Sequence, residues 1–311
     1  MPESSSLPST PALTYAAPAK VNLYLGVHPE RDARGYHRVD SVMIALELAD
    51  IVRVEPASTL NVRCIPPADF PAHKNTAWRA AEILAQTLGK DAHVAITLEK
   101  HIPSMSGMGG ASSDAASVLQ ALCQLWGIDG REERVLHVAR EVGADVPFFL
   151  DPLPTLLGGA GDVALEQFAP LDGVAVVVVR PAGAGVSTKS AYEEFDRMLP
   201  AAADPEPLCS ALRAGDARAV AAALANNLEP VALKLASGVG EVKSWLERQP
   251  GVWGCQVTGS GSCVFAICES FACAQEIAER AREPRTTGAR EGWWAQATKT
   301  ISHSNQISSE I

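Results

Sequence analysis

The chain has 311 residues, which is long enough for two domains or for one large domain with a sizeable core. Its formal net charge is −10 and its basic residues are scattered, which argues against nucleic acid as a partner because such proteins need a basic face. No segment reaches the ~18 consecutive apolar residues of a membrane-spanning helix, so we expect no membrane partner.

In the N-terminal part, apolar periodicity predicts strands that alternate with helices. Residues 1–12 lack the basic and apolar regions of a signal peptide and are predicted to be a disordered lead-in. Residues 57–59 are predicted to be a short turn between two strands. The predicted elements are strands over 20–27, 50–56, 60–65 and 93–100 and helices over 75–89, 111–127 and 131–143.

In the C-terminal part, a Pro- and Gly-rich stretch over 151–162 is the candidate domain junction. Strands and helices mix in both parts of the chain, which predicts an α+β protein. The polar residues 299–311 are predicted to be a flexible tail. The elements predicted after the junction are strands over 174–179 and in a strand–turn–strand unit over 253–268, and helices near 187–199, 216–228, 240–247 and 271–282.

The cysteines indicate the redox environment. There are seven, an odd number, and none has CxxC spacing. This pattern argues against a disulfide framework and against a zinc site. We therefore expect reduced thiols and a cytoplasmic location.

The segment "IPSMSGMGGASSDAAS" lies between a predicted strand and a predicted helix. A helix start exposes unpaired N–H groups, and Gly107, Gly109 and Gly110 allow the backbone to approach an anion closely. Ser112 and Ser113 add hydroxyl groups. Neither G-x-x-x-x-G-K-[ST] nor G-x-G-x-x-G is present. The segment favours a phosphate-binding loop, and the alternative is an ordinary turn in which a serine is the N-cap.

Three further stretches supply candidate partners for such a loop. Lys20 begins a predicted strand and Asn22 follows two residues later, so the two side chains share a face. Asp145 stands between a glycine–alanine pair and an apolar run, where we expect it to be partly buried. Residues 257–267 contain a glycine-rich turn between strands. Taken singly, these could be a solvated lysine, a helix-capping aspartate and a hairpin turn.

Taken together and in this order, the stretches resemble the signatures of the GHMP kinase superfamily. The phosphate loop of that family, P-x-x-x-G-[LM]-G-[GS]-[GSA]-S-S-x-A, corresponds to residues 103–115 here. Ser104, Ser106 and Ala111 stand where family members often have glycine, which predicts a stiffer but competent loop. The resemblance extends from about residue 17 to residue 267.

The resemblance implies an α+β, two-domain GHMP kinase fold with the active site in the cleft between the domains. The N-terminal ATP-binding and catalytic domain, similar to ribosomal protein S5, is expected over residues 13–158. The ferredoxin-like, substrate-binding C-terminal domain is expected over residues 159–298.

The resemblance also implies that ATP transfers its γ-phosphoryl group to an alcohol. Asp145 matches the catalytic base of the family, and Lys20 matches the lysine that pairs with it and orients the acceptor hydroxyl. Asn22 would help to hold the acceptor. Such a reaction requires positioning, charge neutralisation and a proton acceptor rather than a covalent nucleophile. Magnesium is expected to bridge the phosphates, and its protein ligand stays open, with Ser113 a candidate.

For ATP, the resemblance implies contacts from the loop and from three residues near it. Asp114 stands where some members have asparagine, so its contact with the base stays open. The implied ATP-binding residues are Pro103, Ser104, Met105, Ser106, Gly107, Met108, Gly109, Gly110, Ala111, Ser112, Ser113, Asp114, Asn75 and Lys100.

For the acceptor, "RGYHRVDSVM" and "GADVPFFL" resemble the branch whose substrate carries a cytidine diphosphate group. Tyr36 and His37 match residues that recognise cytosine by stacking and by hydrogen bonds to the base edge. Tyr192 matches the second aromatic residue, although it could be an ordinary helix-face tyrosine and His37 an ordinary loop histidine. The other implied substrate contacts are Thr188, Gly259, Ser260 and Gly261.

Two other functions stay open at this point. One is a kinase of the same fold for homoserine or a mevalonate-type acceptor, which Tyr36 and His37 argue against because such acceptors carry no base. The other is a non-catalytic ligand sensor, which the presence of Lys20 and Asp145 argues against. The sequence leaves open whether the protein is a monomer or a homodimer.

Overall fold

The computed structural model describes residues 12–183, 185–283 and 292–301. Two β-sheets carry helices on their faces, which confirms the predicted α+β class. The first elements are β1 (Leu13–Arg31), β2 (His37–Pro56), β3 (Asn61–Ile65), α1 (Thr76–Leu88), β4 (Val94–Glu99), α2 (Gly110–Trp126), α3 (Glu133–Val142), α4 (Val146–Leu150), β5 (Thr155–Gly158) and β6 (Val163–Gln167). They are followed by β7 (Ala175–Arg180), α5 (Thr188–Met198), α6 (Glu206–Ala214), α7 (Ala217–Ala222), β8 (Ala225–Asn226), α8 (Glu229–Leu235), α9 (Ser237–Leu246), β9 (Val252–Val257), β10 (Val264–Cys268), α10 (Phe271–Arg282) and β11 (Trp294–Lys299).

The first sheet has the order β3-β4-β2-β1-β8, and β5 and β6 extend it beside β2. β1 and β2 form a long antiparallel hairpin, from Leu13 opposite Val54 to Arg31 opposite His37. The strands on either side of the turn at 57–59 do not pair with each other, because β4 lies between β2 and β3. β3 and β4 are parallel, and α1 is the crossover helix that a parallel pair requires.

The second sheet has the order β11-β7-β10-β9, and every pair in it is antiparallel. Helices connect β7 to β9 and β10 to β11, so this unit has the β-α-β-β-α-β order of a ferredoxin-like fold. Val176 and Val178 lie in the core shared with the first sheet, whereas Val177 and Val179 lie in a second core under α9 and α10. The valine run of β7 is therefore buried on both faces.

The predicted domain boundary between residues 158 and 159 falls inside the β5–β6 hairpin. Because β6 pairs with β5, the first sheet continues to Gln167. β8 then returns to pair in parallel with β1, from within the predicted C-terminal domain. The glycine-rich end of this stretch thus forms the turn of the β5–β6 hairpin, and the position of the domain boundary stays a prediction.

Two other predicted boundaries also differ. The helix predicted over 216–228 ends at Ala222, because the backbone of Ala225 and Asn226 pairs with β1 instead. The predicted flexible tail begins too early, since Lys299 ends β11 and residue 300 bonds to the backbone of residue 174. Residues 1–11 of the predicted lead-in and residues 302–311 of the predicted tail lie outside the described residues.

Helix α2 lies at the centre of the N-terminal core and determines the position of the loop that precedes it. It starts after Gly109 and ends at Gly127, and both glycines have positive φ angles, of 72° and 66°. Ala115, Ala116 and Leu119 are fully buried. Because these alanines are small, α1 and the first sheet can pack closely against the helix. No helix among the described residues is long and apolar enough to cross a membrane.

Gly254 in β9 tests the packing of the second sheet. A Cβ atom on Gly254 would lie 2.2 Å from the carbonyl oxygen of Ala221 in α7, so the strand and the helix would have to separate. We expect Gly254→Ala to lower the free energy of unfolding by about 1–3 kcal/mol in chemical denaturation. Gly130→Ala is the matched control, since nothing lies within 4 Å of its added Cβ. Equal stability of the two variants would contradict this packing.

Candidate active site

The loop between β4 and α2 presents an open helix start. Gly109 is the N-cap and supplies no side-chain hydrogen bond to the helix. The N–H groups of Ser112 and Ser113 bond back to the Gly109 carbonyl at 3.0 and 2.9 Å. The alternative of a serine N-cap is therefore wrong. The N–H groups of Gly110 and Ala111, at the start of the first turn, have no carbonyl within the helix to which they could donate. Such a helix start favours an anion.

The predicted loop residues differ in exposure. The Met108 carbonyl accepts from the N–H of Lys20 at 3.0 Å, so the inner part of the loop is tied to β1. The Ser106 hydroxyl accepts from the N–H of Met108 at 3.3 Å and braces the turn. Ser106, Met108 and Ser113 are buried, Pro103, Gly107, Gly109, Gly110 and Ser112 are half-buried, and Ser104, Met105 and Ala111 are exposed.

The loop packs directly on the turn between β9 and β10. A Cβ atom on Gly107 would lie 2.1 Å from the Thr258 carbonyl oxygen, so only glycine permits this approach. The Ser106 carbonyl accepts from the N–H of Cys263 at 3.2 Å. The predicted phosphate loop, which precedes a helix of the first sheet, therefore meets the glycine-rich turn of the second sheet.

Lys20, Asn22 and Asp145 come together beside this loop. The Lys20 ammonium donates to the Asn22 side-chain carbonyl at 2.6 Å and lies 3.6 Å from the Asp145 carboxylate. Lys20 is 4% exposed, whereas the Asp145 side chain is 35% exposed and so can reach a ligand. Asp145 precedes α4 but makes no capping hydrogen bond. The solvated-lysine and capping-aspartate alternatives are therefore both wrong.

The Asn22 amide is occupied by protein partners. Its oxygen accepts from Lys20, and its nitrogen donates to the Ser41 hydroxyl at 2.8 Å. Ser41 in turn donates to the Tyr24 carbonyl at 3.1 Å. In this arrangement Asn22 holds the Lys20 ammonium beside Asp145, and a contact of Asn22 with the acceptor stays a prediction.

Lys100 lies in a buried cluster with two aspartates. Its ammonium donates to the carboxylates of both Asp50 and Asp114. Asp50 is fully buried and also accepts the N–H groups of His101 and Ile102 at 2.5 and 2.8 Å, so it fixes the chain where the loop begins. Burial opposes the charge of Lys100, but the two carboxylates outweigh it and raise the Lys100 pKa.

Asp114, in this cluster, has a strongly raised pKa. Burial, together with the nearby Asp50 charge, raises the pKa of Asp114 to about 7, although Lys100 opposes the shift. Its second oxygen, Oδ1, is buried and has no hydrogen-bond partner among the described residues. Asn75 lies near this cluster through Cys64, whose sulfur accepts from the Asn75 amide at 3.4 Å. The Asn75 oxygen caps α1 by accepting from the N–H of Ala77 at 2.9 Å.

The predicted aromatic residues gather beside the β1–β2 turn. The ring centroids of His37 and Tyr192 are 5.5 Å apart, and the ring of Phe195 meets His37 edge-on at 5.3 Å. Tyr36 is 59% exposed, and the Arg34 guanidinium lies 5.3 Å from the centre of its ring. Burial raises the pKa of Tyr192 to about 12, with a further contribution from Asp145, so this aromatic group lies near the Lys20–Asp145 pair.

The ring edge of His37 faces protein oxygens. Its Nδ1 lies 2.7 Å from the His28 carbonyl oxygen, which fixes the ring. Its Nε2 is 3.1 Å from an oxygen of Asp196, although the two atoms are not aligned as a hydrogen bond. Asp196 also pairs with Arg31 at 2.6 Å, which joins α5 to the β1–β2 turn. The Nδ1 atom of His37 is therefore engaged with protein, whereas Nε2 has no hydrogen-bond partner among the described residues, so a hydrogen bond from His37 to a base stays a prediction.

The remaining predicted substrate residues lie on the turn after β9 and at the start of α5. The hydroxyls of Thr188 and Ser260 are 3.4 Å apart. Gly259 and Gly261 have positive φ angles of 57° and 89°, which favour glycine. The predicted hairpin turn is confirmed, and it brings α5 and the phosphate loop to the same place.

Sequence reasoning did not identify four residues of this site. Asp50 ends an apolar run, Ser41 lies inside β2, and Asp196 looks like an ordinary exposed helix residue. Thr258 lies in the glycine-rich turn, where only its neighbours Gly259, Ser260 and Gly261 were predicted to be site residues. None has a local signal of its function, because their partners are distant in the chain.

Comparison with known proteins identifies the family. Residues 75–152 match the GHMP kinases N terminal domain, and residues 208–285 match the GHMP kinases C terminal domain. A 4-diphosphocytidyl-2-C-methyl-D-erythritol kinase from Pelotomaculum thermopropionicum is 37% identical over 273 residues, which cover 87% of this chain and 94% of that protein. The chain belongs to the 4-diphosphocytidyl-2-C-methyl-D-erythritol kinases of the GHMP family. The resemblance inferred from the sequence is confirmed.

Solved structures agree with this membership in the GHMP family. A crystal structure of 4-(cytidine 5'-diphospho)-2C-methyl-D-erythritol kinase has a TM-score of 0.74 and 33% identity, and the match covers 92% of this chain and 99% of that one. A homoserine kinase from Cytophaga hutchinsonii has a TM-score of 0.72 but only 19% identity, over 96% and 98% of the two chains. The likeness to homoserine kinase shows the shared fold alone.

The Asp50–Lys100–Asp114 cluster predicts a pH-dependent stability. The Asp114 pKa is about 7 in the folded protein against an ordinary value of 3.8. The protonated carboxyl therefore contributes its full share to the free energy of unfolding below about pH 4, and this contribution is lost as the pH rises to about 7. Asp114→Asn removes this titration. We expect the melting temperature of this variant, relative to wild type, to rise between pH 4 and pH 8.

The control for this prediction is Asp91→Asn, because Asp91 is exposed. Its melting temperature relative to wild type should not vary with pH in the same range. A constant difference for Asp114→Asn as well would show that Asp114 titrates near its ordinary pKa.

Proposed function

We propose that this chain uses ATP to phosphorylate the 2-hydroxyl group of 4-diphosphocytidyl-2-C-methyl-D-erythritol, giving the 2-phosphate and ADP, in non-mevalonate isoprenoid precursor biosynthesis. The observation that carries the proposal is the pairing of buried Lys20 with part-exposed Asp145, 3.6 Å apart, beside an open helix start. The relatives that share over 30% of the sequence carry this substrate in their names.

The phosphate loop would hold the triphosphate of ATP. The N–H groups at the start of α2 and the positive end of its dipole favour the charge of the phosphates. A Cβ atom on Gly107 would lie 2.1 Å from the Thr258 carbonyl oxygen, and one on Gly109 would lie 2.8 Å from the Phe149 ring, so both glycines let the loop pack closely against the protein around the proposed phosphate site. Because the loop is tied both to β1 and to the β9–β10 turn, the phosphates would be held in a fixed position relative to Asp145.

Asp145 would accept the proton of the acceptor hydroxyl as the phosphoryl group is transferred. Its carboxylate is partly exposed and is not used in capping α4, so it is free to approach a ligand. Lys20, held by Asn22, would also orient the acceptor oxygen and neutralise charge that develops during transfer.

Magnesium would accompany ATP, and the residues present fit it. The Ser113 hydroxyl is fully buried and has no hydrogen-bond partner among the described residues, and a hydroxyl oxygen is a ligand that Mg²⁺ accepts. Within the described part of the chain, no group of three or more His, Cys, Asp or Glu side chains could hold a metal. The ion would therefore be held mainly by the phosphates, whose charge it neutralises.

The cytosine of the acceptor would lie against the aromatic group at the β1–β2 turn. Tyr36 is exposed and available for stacking, and Tyr192, which packs against His37, is close enough to Asp145 for that carboxylate to raise its pKa. The ring of His37 packs beside Tyr192 and is fixed by the contact of its Nδ1 with the His28 carbonyl, while its Nε2 has no hydrogen-bond partner among the described residues. A cytidine group bound here would direct the far end of the substrate toward the Lys20–Asp145 pair.

The seven cysteines are unpaired, and burial raises the pKa of several of them, including Cys255 and Cys263, to about 12. Thiols in such surroundings are poor nucleophiles. These observations support the proposal that the enzyme works in the reducing cytoplasm.

Asp145→Ala tests the proposed base. We expect the rate of product formation from ATP and 4-diphosphocytidyl-2-C-methyl-D-erythritol to fall by about 10²-fold or more, because a positioned proton acceptor is lost. The measurement is ADP release together with phosphorylated product, with homoserine and mevalonate as alternative acceptors. Asp151→Asn, at the exposed far end of α4, is the control and should retain activity. Full activity of Asp145→Ala would overturn the assignment of the base, and turnover of homoserine instead would overturn the substrate.

Tyr36→Ala tests the cytosine site. Stacking on an aromatic ring is worth ~1–3 kcal/mol per base, so we expect KM for the acceptor to rise roughly tenfold or more while KM for ATP stays unchanged. Tyr36→Phe retains the ring and should keep KM for the acceptor close to that of wild type. A parallel rise in both KM values would indicate a general defect of the loop instead.

A further inference from the structure

Thr258, in the turn between β9 and β10, has a fully buried hydroxyl that bonds to two other parts of the chain. Its Oγ1 accepts from the N–H of Asn22 at 3.2 Å. Two possible acceptors for its proton lie nearby, the Gly107 carbonyl at 3.2 Å and the Asn22 side-chain carbonyl at 3.3 Å. One hydroxyl therefore joins the phosphate loop of one domain, a strand of the same domain and a turn of the other.

The residues that Thr258 contacts are those that hold the reacting groups. Asn22 accepts from the Lys20 ammonium, and Lys20 lies beside Asp145. Gly107 belongs to the loop proposed to hold the triphosphate. A continuous set of contacts thus leads from the phosphate loop through Thr258 and Asn22 to Lys20, and all but the loop end of this set is buried, where hydrogen bonds are stronger than in water.

The surrounding backbone leaves little room for this geometry to shift. The Thr258 carbonyl would be 2.1 Å from a Cβ on Gly107, and the Gly107 carbonyl would be 3.1 Å from a Cβ on Gly259. The Asn226 amide fixes the turn by donating to the carbonyls of Val257 and Gly259. The turn is therefore a firm support against which the loop rests.

We propose that Thr258 is a positioning residue that sets the distance between the phosphate loop and the Lys20–Asn22 pair. The inference rests on the proposed function, in which the phosphoryl donor lies on the loop and the acceptor beside Lys20. Without the hydroxyl, the N–H of Asn22 is left without this acceptor, and the Gly107 carbonyl loses its tie to the turn. Donor and acceptor would then be held at less constant separation, and transfer to the acceptor would suffer more than binding of either substrate.

The test compares Thr258→Val, which keeps the shape and removes the hydroxyl, with Thr258→Ser, which keeps the hydroxyl. We expect Thr258→Val to lower kcat by about tenfold with little change in either KM, and to raise the ratio of ADP released to product formed. Thr258→Ser should recover most of the lost kcat and restore that ratio to one.

A matched control is Thr300→Val. Thr300 is also buried, and its hydroxyl also has two backbone partners, the Leu171 carbonyl and the N–H of Val174, away from the site. The Thr300→Val variant should lower the melting temperature about as much as Thr258→Val but leave kcat and the ADP-to-product ratio unchanged. An equal loss of kcat in both valine variants would show that Thr258 acts only through stability and would overturn the inference.

Amide hydrogen exchange gives a readout that does not depend on the substrate. In the protein without ligands, peptides covering residues 104–110 and 20–24 should exchange faster in Thr258→Val than in wild type, Thr258→Ser or Thr300→Val. Unchanged exchange would overturn the positioning role even if the wild type were inactive with the cytidine substrate. Inactivity of the wild type, with faster exchange in Thr258→Val, would instead count against the proposed function alone.

Discussion

The contact between the glycine-rich loop and the β9–β10 turn is the constraint on which the rest of the site depends. Gly107 can lie against the Thr258 carbonyl only because it has no side chain. That approach brings the two sheets together where α2 begins, and it places the Lys20–Asp145 pair beside the same loop. The apolar core shared by the two sheets supports the contact from below, so the position of the loop is set by the fold as a whole.

Two lysines, Lys20 buried and Lys100 half-buried, serve different purposes around this contact. Lys100 is enclosed by Asp50 and Asp114, and this cluster fixes the chain where the loop begins. Lys20 has one amide and one carboxylate partner, and the carboxylate is partly exposed. Lys100 thus stabilises the start of the loop, whereas the Asp145 carboxylate beside Lys20 can still contact a ligand. The difference lies in how completely each ammonium is paired by protein groups.

The fold class, most elements and the central site residues could be predicted from the sequence, because they have local signals. The Gly-x-Gly-Gly loop before an alanine-rich helix, and Asn22 two residues after Lys20, are such signals. Asp50 and Thr258 could not be predicted, since their partners are far away in the chain. The end of α7 and the order of β2, β4 and β3 were missed for the same reason: both depend on pairing with distant segments.

The sequence by itself determined which chemical groups this protein has and the order in which they occur, and that order was enough to indicate the GHMP family. Only the tertiary structure decided what each group is used for. It showed that the Asn22 side chain bonds to Lys20 and Ser41, that Nδ1 of the His37 ring contacts the His28 carbonyl, and that the Asp145 side chain makes no capping hydrogen bond. The physical reason is that a polar side chain takes its function from the partners and the solvent around it, and those are set by packing between residues far apart in the chain.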